Sequence, residues 1–172
     1  GSVQDSQTKI LLNRLIRSVV FLLVLMYITM GYNMLGWWLP AFLHGNFIGL
    51  ALLQLILSTI IIVINKAFFV SGIRSLMHGS PSMDTLVAMG SGISYLWSLG
   101  VLFRMTVMVT NGTAMGDLMH IYHNELYFES AAMILTLITV GKMLEARSKG
   151  KTADALKSLM KLAPKTATVV RN

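Results

Sequence analysis

The chain has 172 residues, of which 55% are hydrophobic and only 12% charged, against about 25% charged in a soluble domain. So little polar surface excludes a water-soluble globule, and the net charge of +7 does not point to nucleic acid, because the basic residues fall between and after apolar blocks rather than on one soluble face. The absence of cysteine excludes a disulfide framework and any cysteine-ligated metal site.

Gly1-Ser2 reads as a cloning scar. No signal peptide is expected, since the first apolar block is too long and lacks a small-residue cleavage site. Residues 9–17 place Leu11, Leu12, Leu15 and Ile16 at helical spacing, which predicts an amphipathic lead-in lying at the membrane surface. Residues 18–39 form the first uncharged block, ending at Trp37-Trp38-Leu39-Pro40, an interfacial aromatic anchor followed by a helix stop. Met26, Met30 and Met34 are spaced four apart on it, a stripe that apolar packing explains more readily than metal transfer.

The second block covers 47–64, with the two spans together occupying 18–64. Residues 65–82 then mix basic and apolar side chains, predicting an interfacial helix with Lys66 and Arg74, closed by the breaker Gly79-Ser80-Pro81-Ser82. The third block covers about 85–103, inside a unit at 83–141, and Gly90, Ser94 and Ser98 predict a face of small side chains that admits another helix. A polar loop is expected over 111–124, with Met115, Met119, His120 and His123 within it; solvation accounts for that cluster better than metal capture. The fourth block starts near Leu126, and its helical pattern continues past Gly141 to Leu162. A helix of that length would be about 55 Å long. The bilayer's hydrocarbon core, about 30 Å thick, needs only roughly 20 helical residues, so the last turns are predicted to stand in the cytoplasm. Pro164 stops this helix, and Thr166 to Val170 read as a strand, within a final unit at 142–172.

The expected fold class is therefore an all-α membrane protein with four transmembrane helices in a lipid bilayer. Lys9, Arg14 and Arg17 precede the first span, Lys66 and Arg74 follow the second, and eight basic residues from Lys142 to Arg171 follow the fourth; Arg104 stands alone on the other side. That bias predicts both termini inside. Ionisable groups within spans are functional candidates, which singles out Asp84, Glu129 and Glu145. The last two are sixteen residues apart, about 24 Å of helix rise and roughly 160° of rotation. They share no face, cannot form one metal site, and either mark two ends of a path or sit separately at the two headgroup regions. Met83 offers a thioether, a soft ligand that suits Cu(I), in a chain with 13 methionines.

Four stretches, in order, resemble copper-transporting P-type ATPases. Residues 82–90 (Ser-Met-Asp-Thr-Leu-Val-Ala-Met-Gly) resemble the start of the first core helix of that family, and Tyr127-Phe128-Glu129-Ser130-Ala131-Ala132-Met133 the start of the second. Gly141-Lys142-Met143-Leu144-Glu145-Ala146-Arg147, continued by Lys149-Gly150-Lys151-Thr152, is similar to the cytoplasmic end of the second, and Leu162-Ala163-Pro164-Lys165-Thr166-Ala167 to the link into the actuator domain. The resemblance implies that Met83 receives Cu(I) at the cytoplasmic face with Glu145 as its carboxylate partner, and that Glu129 lies on the exit route. It also implies that the first two spans are the extra pair carried by heavy-metal pumps. The segment after them would be a platform, bearing Lys66 and Arg74, where a copper chaperone or an N-terminal metal-binding domain docks. A bacterial plasma membrane fits the family.

The chain departs from the family where paired glycines often bend the second helix. Ile64-Asn65 stands there, and Asn does not free the backbone as Gly does, which leaves a kink at Asn65 open. The 172 residues contain no Cys-Pro-Cys, no Asp-Lys-Thr-Gly phosphorylation motif, no Thr-Gly-Glu loop and no Cys-x-x-Cys. The reading is therefore the front part of a Cu(I) exporter, needing the remainder of the pump for ATP and Mg and unable to pump by itself. The alternatives are a zinc or cadmium pump of the same superfamily, or a helical membrane scaffold that transports nothing.

Overall fold

The computed structural model describes residues 2–162, and every regular element among them is helical. The helices are α1 (Ser2–Met26), α2 (Asn33–Leu35), α3 (Phe47–Ile64), α4 (Lys66–Met77), α5 (Met83–Thr110), α6 (Met115–Glu125) and α7 (Phe128–Leu162), with a π-helical turn, Tyr27–Tyr32, joining α1 to α2. Four of these runs are long and apolar enough to cross a membrane. The Pro164 stop and the strand expected from Thr166 to Val170 lie outside the described residues.

Two expectations about the first helix are corrected. The lead-in is not a separate surface element: α1 runs without a break from Ser2 through residues 9–17 into the apolar stretch. Nothing in that sequence breaks a helix, and Arg14 is held inward, 5.3 Å over the Phe68 ring, with its Nη2 3.4 Å from Asn65 Oδ1. The helix also stops earlier than Leu39. Gly36 takes the left-handed conformation at φ 70° that only glycine adopts without strain, and it closes α2. Trp37 and Trp38 follow outside the helix and are both exposed. The π-helical turn adds a residue to the local repeat, so the methionine stripe does not bury as one: Met26 packs on the core while Met30 and Met34 are exposed.

At the α6 end the expected polar loop is instead the 11-residue helix α6. Leu118, Ile121 and Tyr122 recur at helical spacing and are buried, which gives the segment an apolar face to pack on α5 and α3. The Tyr122 hydroxyl donates to Asn33 Oδ1 at 3.0 Å and accepts from Gln54 Nε2 at 2.8 Å, tying α6 to α2 and α3.

The helix α7 is the centre of the bundle, packing on α1, α3 and α5. Its Phe128, Ala131, Ala132, Leu135, Thr136 and Thr139 form one buried stripe at i, i+3, i+4 spacing. Small residues let α5 approach: Ser91 donates to the Ala131 carbonyl at 3.0 Å, and Ser98 accepts from the Tyr127 N–H at 2.6 Å. Of the predicted small face, Ser98 is buried and Gly90 and Ser94 are half-buried, while Ser91, one position round from it, carries the interhelical bond. Beyond Met143 the helix leaves the bundle, and Leu144, Leu156, Leu159 and Leu162 are exposed.

Candidate functional site

Three helix junctions meet at the α4 end of the bundle. The first is the break between α3 and α4. Asn65 has φ −103° and ψ 26°, outside the helical region, so the two helices are separate. Its fully buried amide is satisfied on both sides: Nδ2 donates to Ser18 Oγ at 2.7 Å and to the Ile61 carbonyl at 2.9 Å, while Oδ1 accepts from Thr139 Oγ1 at 2.9 Å. A side chain that bonds its own preceding turn competes with the backbone ladder, which is why asparagine interrupts this helix without a glycine pair.

The second junction sets α4 against the start of α5. Gly72 is buried at the crossing, and a Cβ there would come within 2.7 Å of the Asp84 carbonyl oxygen. The Thr85 hydroxyl donates to the Gly72 carbonyl at 2.7 Å and accepts from the Ser82 N–H at 3.1 Å, so one side chain fixes both the crossing and the first turn of α5.

The third junction is the site itself. Met83 and Asp84 open α5, and Ile138, Gly141, Lys142 and Glu145 face them from α7; together they line one cleft of about 400 Å³. Asp84 is 15% exposed and sits in the first turn of α5, where the helix dipole favours a carboxylate. Its Oδ1 accepts from Lys142 Nζ at 2.7 Å. The Lys142 ammonium also lies 5.1 Å from the centroid of the buried Phe68 ring. Glu145 stands at the rim, 61% exposed, and takes Lys149 at 2.9 Å one helical turn on. Met83 is 64% exposed.

The structure thus places Met83 and Glu145 in one cleft and keeps Glu129 apart. Glu129 lies in the first turn of α7, at its other end, lining a separate cleft with Ser130, Met133 and Ile134. Its Oε1 is buried with no hydrogen-bond partner among the described residues. Lys66 and Arg74 are both exposed on α4, and Arg74 lines a shallow groove with Val70, Ile73, Met77 and His78. Among the described residues no group of three or more His, Asp or Glu side chains converges as a metal site; the α5–α7 cleft sets Met83 beside two acids, Asp84 and Glu145. Sequence reasoning weighed Asp84 but did not give it a role, and it missed Lys142. The signal was present: an acid at the end of a span requires a cation at the same depth, and Lys142 ends the apolar run of α7.

No protein-family model matches the chain, and no solved structure matches it. Named relatives do. The chain is 37% identical over 137 residues to the copper-transporting ATPase RAN1 of Arabidopsis thaliana, covering 80% of the chain and 12% of that protein. It is 36% identical over 167 residues to a copper-transporting ATPase of Helicobacter pylori, covering 92% of the chain and 21% of that protein. It is 40% identical over 119 residues to a copper-exporting P-type ATPase of Staphylococcus epidermidis, covering 69% of the chain and 14% of that protein. The chain therefore spans between 12% and 21% of the length of these relatives.

Proposed function

Because the chain belongs to the copper-transporting P-type ATPases, as a membrane segment of that family, we propose that it forms the Cu(I)-loading end and part of the release path of an ATP-driven copper export pump. The observation that carries this reading is the single cleft shared by the Met83 thioether and the Glu145 carboxylate. A thioether is a ligand for soft Cu(I) and a poor one for Mg²⁺ or Ca²⁺. An exposed Met83 accepts the ion from a donor protein by ligand exchange, and Glu145 supplies charge at the rim once Lys149 lets go. Glu129, sixteen residues away along α7, or about 24 Å of rise, then draws the ion out at the far side.

On this reading α4 faces the cytoplasm with both termini, in keeping with the distribution of Lys and Arg. Its exposed Lys66 and Arg74 attract the acidic surface of a copper chaperone or of an N-terminal metal-binding domain. The remainder of the pump binds ATP and Mg, and a bacterial plasma membrane is the proposed location.

The test is a Cu(I) titration of the purified chain against a competing chelator under reducing conditions. Met83→Ala and Glu145→Ala are each expected to weaken binding at least tenfold, on the order of 1.4 kcal/mol, whereas Glu129→Ala leaves this site unchanged. Binding that ignores both of the first two substitutions overturns the loading role.

A further inference from the structure

The loading cleft holds a positive charge of its own. Two carboxylates and a thioether without a counter-charge would form a site well suited to a divalent ion, because carboxylate oxygens favour Zn²⁺, Mn²⁺ and Mg²⁺ over Cu(I). Lys142 cancels one of those charges inside the cleft. It differs from a surface lysine in being held twice, by Asp84 Oδ1 at 2.7 Å and by the Phe68 ring at 5.1 Å. Phe68 is itself 2% exposed and fixed at the α3–α4 break. Arg14 lies against the same ring at 5.3 Å, so a second cation limits where the Lys142 ammonium can retreat.

We propose that Lys142 is the charge filter of this cleft: a resident ammonium, tethered by Asp84 and Phe68, that a monovalent ion tolerates and a divalent ion does not. The inference rests on the loading role given above to Met83 and Glu145. An ion bound among Met83, Asp84 and Glu145 shares a cleft with Lys142 Nζ. Coulomb repulsion scales with the charge of the ion, so a divalent ion feels twice the opposition that Cu(I) feels. The Met83 sulfur supplies affinity for a soft ion, and Lys142 removes the advantage that the carboxylates would give a hard one. Lys142 acts on the ion through space and on Asp84 through the ion pair; it is a positioning and selectivity residue and not a ligand.

The experiment uses the full chain in detergent, titrated separately with Cu(I) and Zn(II) against chelators. The variants are Lys142→Gln, Lys142→Leu and Lys142→Arg. Lys142→Leu keeps an apolar side chain over Phe68 and offers no ligand, and helical circular dichroism confirms that each variant is folded. If removing the charge raises Cu(I) affinity about threefold, it raises Zn(II) affinity about tenfold, because the logarithm of the change doubles with ion charge. Lys142→Arg restores the wild-type ratio. The filter is overturned if neither neutral variant shifts the Zn(II)-to-Cu(I) ratio, or if Lys142→Arg shifts it as far as they do. That outcome leaves the loading role standing wherever Met83→Ala and Glu145→Ala still weaken Cu(I). Cu(I) binding that is indifferent to those two variants removes the loading role instead, whatever Lys142 does.

Discussion

The acids of the α4 cleft and Glu129, at the other end of α7, are held in opposite ways. At the α4 end each carboxylate already has a lysine: Asp84 is bonded to Lys142 and Glu145 to Lys149. At the α6 end of α7, Glu129 has a buried oxygen with no hydrogen-bond partner among the described residues, while Glu125 nearby in sequence is paired with Arg104 at the exposed surface. A neutralised acid must exchange a partner to take up an ion. An unpartnered buried acceptor carries a desolvation cost that an arriving cation relieves. This difference is what the proposed loading role of the α4 end and the proposed release role of Glu129 rest on.

This contrast depends on the α4 end being rigid, and the largest effect expected is on that rigidity. Gly72→Val places two methyl groups where a Cβ already meets the backbone of Asp84 and Thr85 at 2.7–2.9 Å. Overpacking of this kind costs about 1–3 kcal/mol, and here it also pushes α4 away from Met83 and Asp84. Thermal unfolding in detergent should show the lower midpoint, and Cu(I) affinity should fall with it. An unchanged midpoint would mean that the crossing yields easily and that the cleft is not pre-built. Asn65→Leu comes next. It leaves Ser18 without its donor and removes the amide that joins α1, α3 and α7. Hydrogen bonds between membrane helices average about 0.6 kcal/mol, so a loss of roughly 1–2 kcal/mol is expected for the joint. A stable Asn65→Leu protein with wild-type Cu(I) binding would show that the α3–α4 break is set elsewhere.

The long spans were legible because a run of apolar residues and its flanking breakers are local signals. The second block, residues 47–64, matches α3 at both bounds, and the helical pattern past Gly141 matches the extension of α7 to Leu162. What the sequence did not yield was decided by partners distant along the chain. Asn65 interrupts the helix through its own preceding turn, but its buried amide is satisfied there only because Ser18 and Thr139, 47 and 74 residues away, also bond it. Most of the 111–124 segment folds into α6 because Tyr122 finds Asn33 and Gln54, and its polar composition hid a face of only three buried residues. Gly36 was overlooked as a helix end because the tryptophans after it are apolar enough to prolong the pattern. In the cleft, Met83 and Glu145 were singled out by their chemistry and paired through the resemblance; the depth of Lys142 was legible, but that it takes Asp84 is decided only when α5 and α7 lie side by side.

The smallest effect is the most direct test of the contrast, because the two substitutions involved have the same chemistry and opposite expected signs. Asp84→Asn removes the charge that holds Lys142. The pair is partly exposed, with Lys142 at 40% and Asp84 at 15%, so the loss in stability is about 1 kcal/mol at most. Glu129→Gln removes a charge that has no ion-pair partner among the described residues and adds an amide that can itself donate. It forfeits the favourable placement of an acid in the first turn of α7, about 0.3–1 kcal/mol, and it escapes the cost of an unsatisfied buried charged oxygen, about 1–3 kcal/mol. The second quantity is the larger, so Glu129→Gln is expected to leave the unfolding midpoint unchanged or raise it slightly. Two midpoints, measured side by side in the same detergent, decide the matter. If both substitutions destabilise equally, Glu129 is paired in solution as Asp84 is, and the two ends of the bundle do not differ in the way that the proposed loading and release roles require.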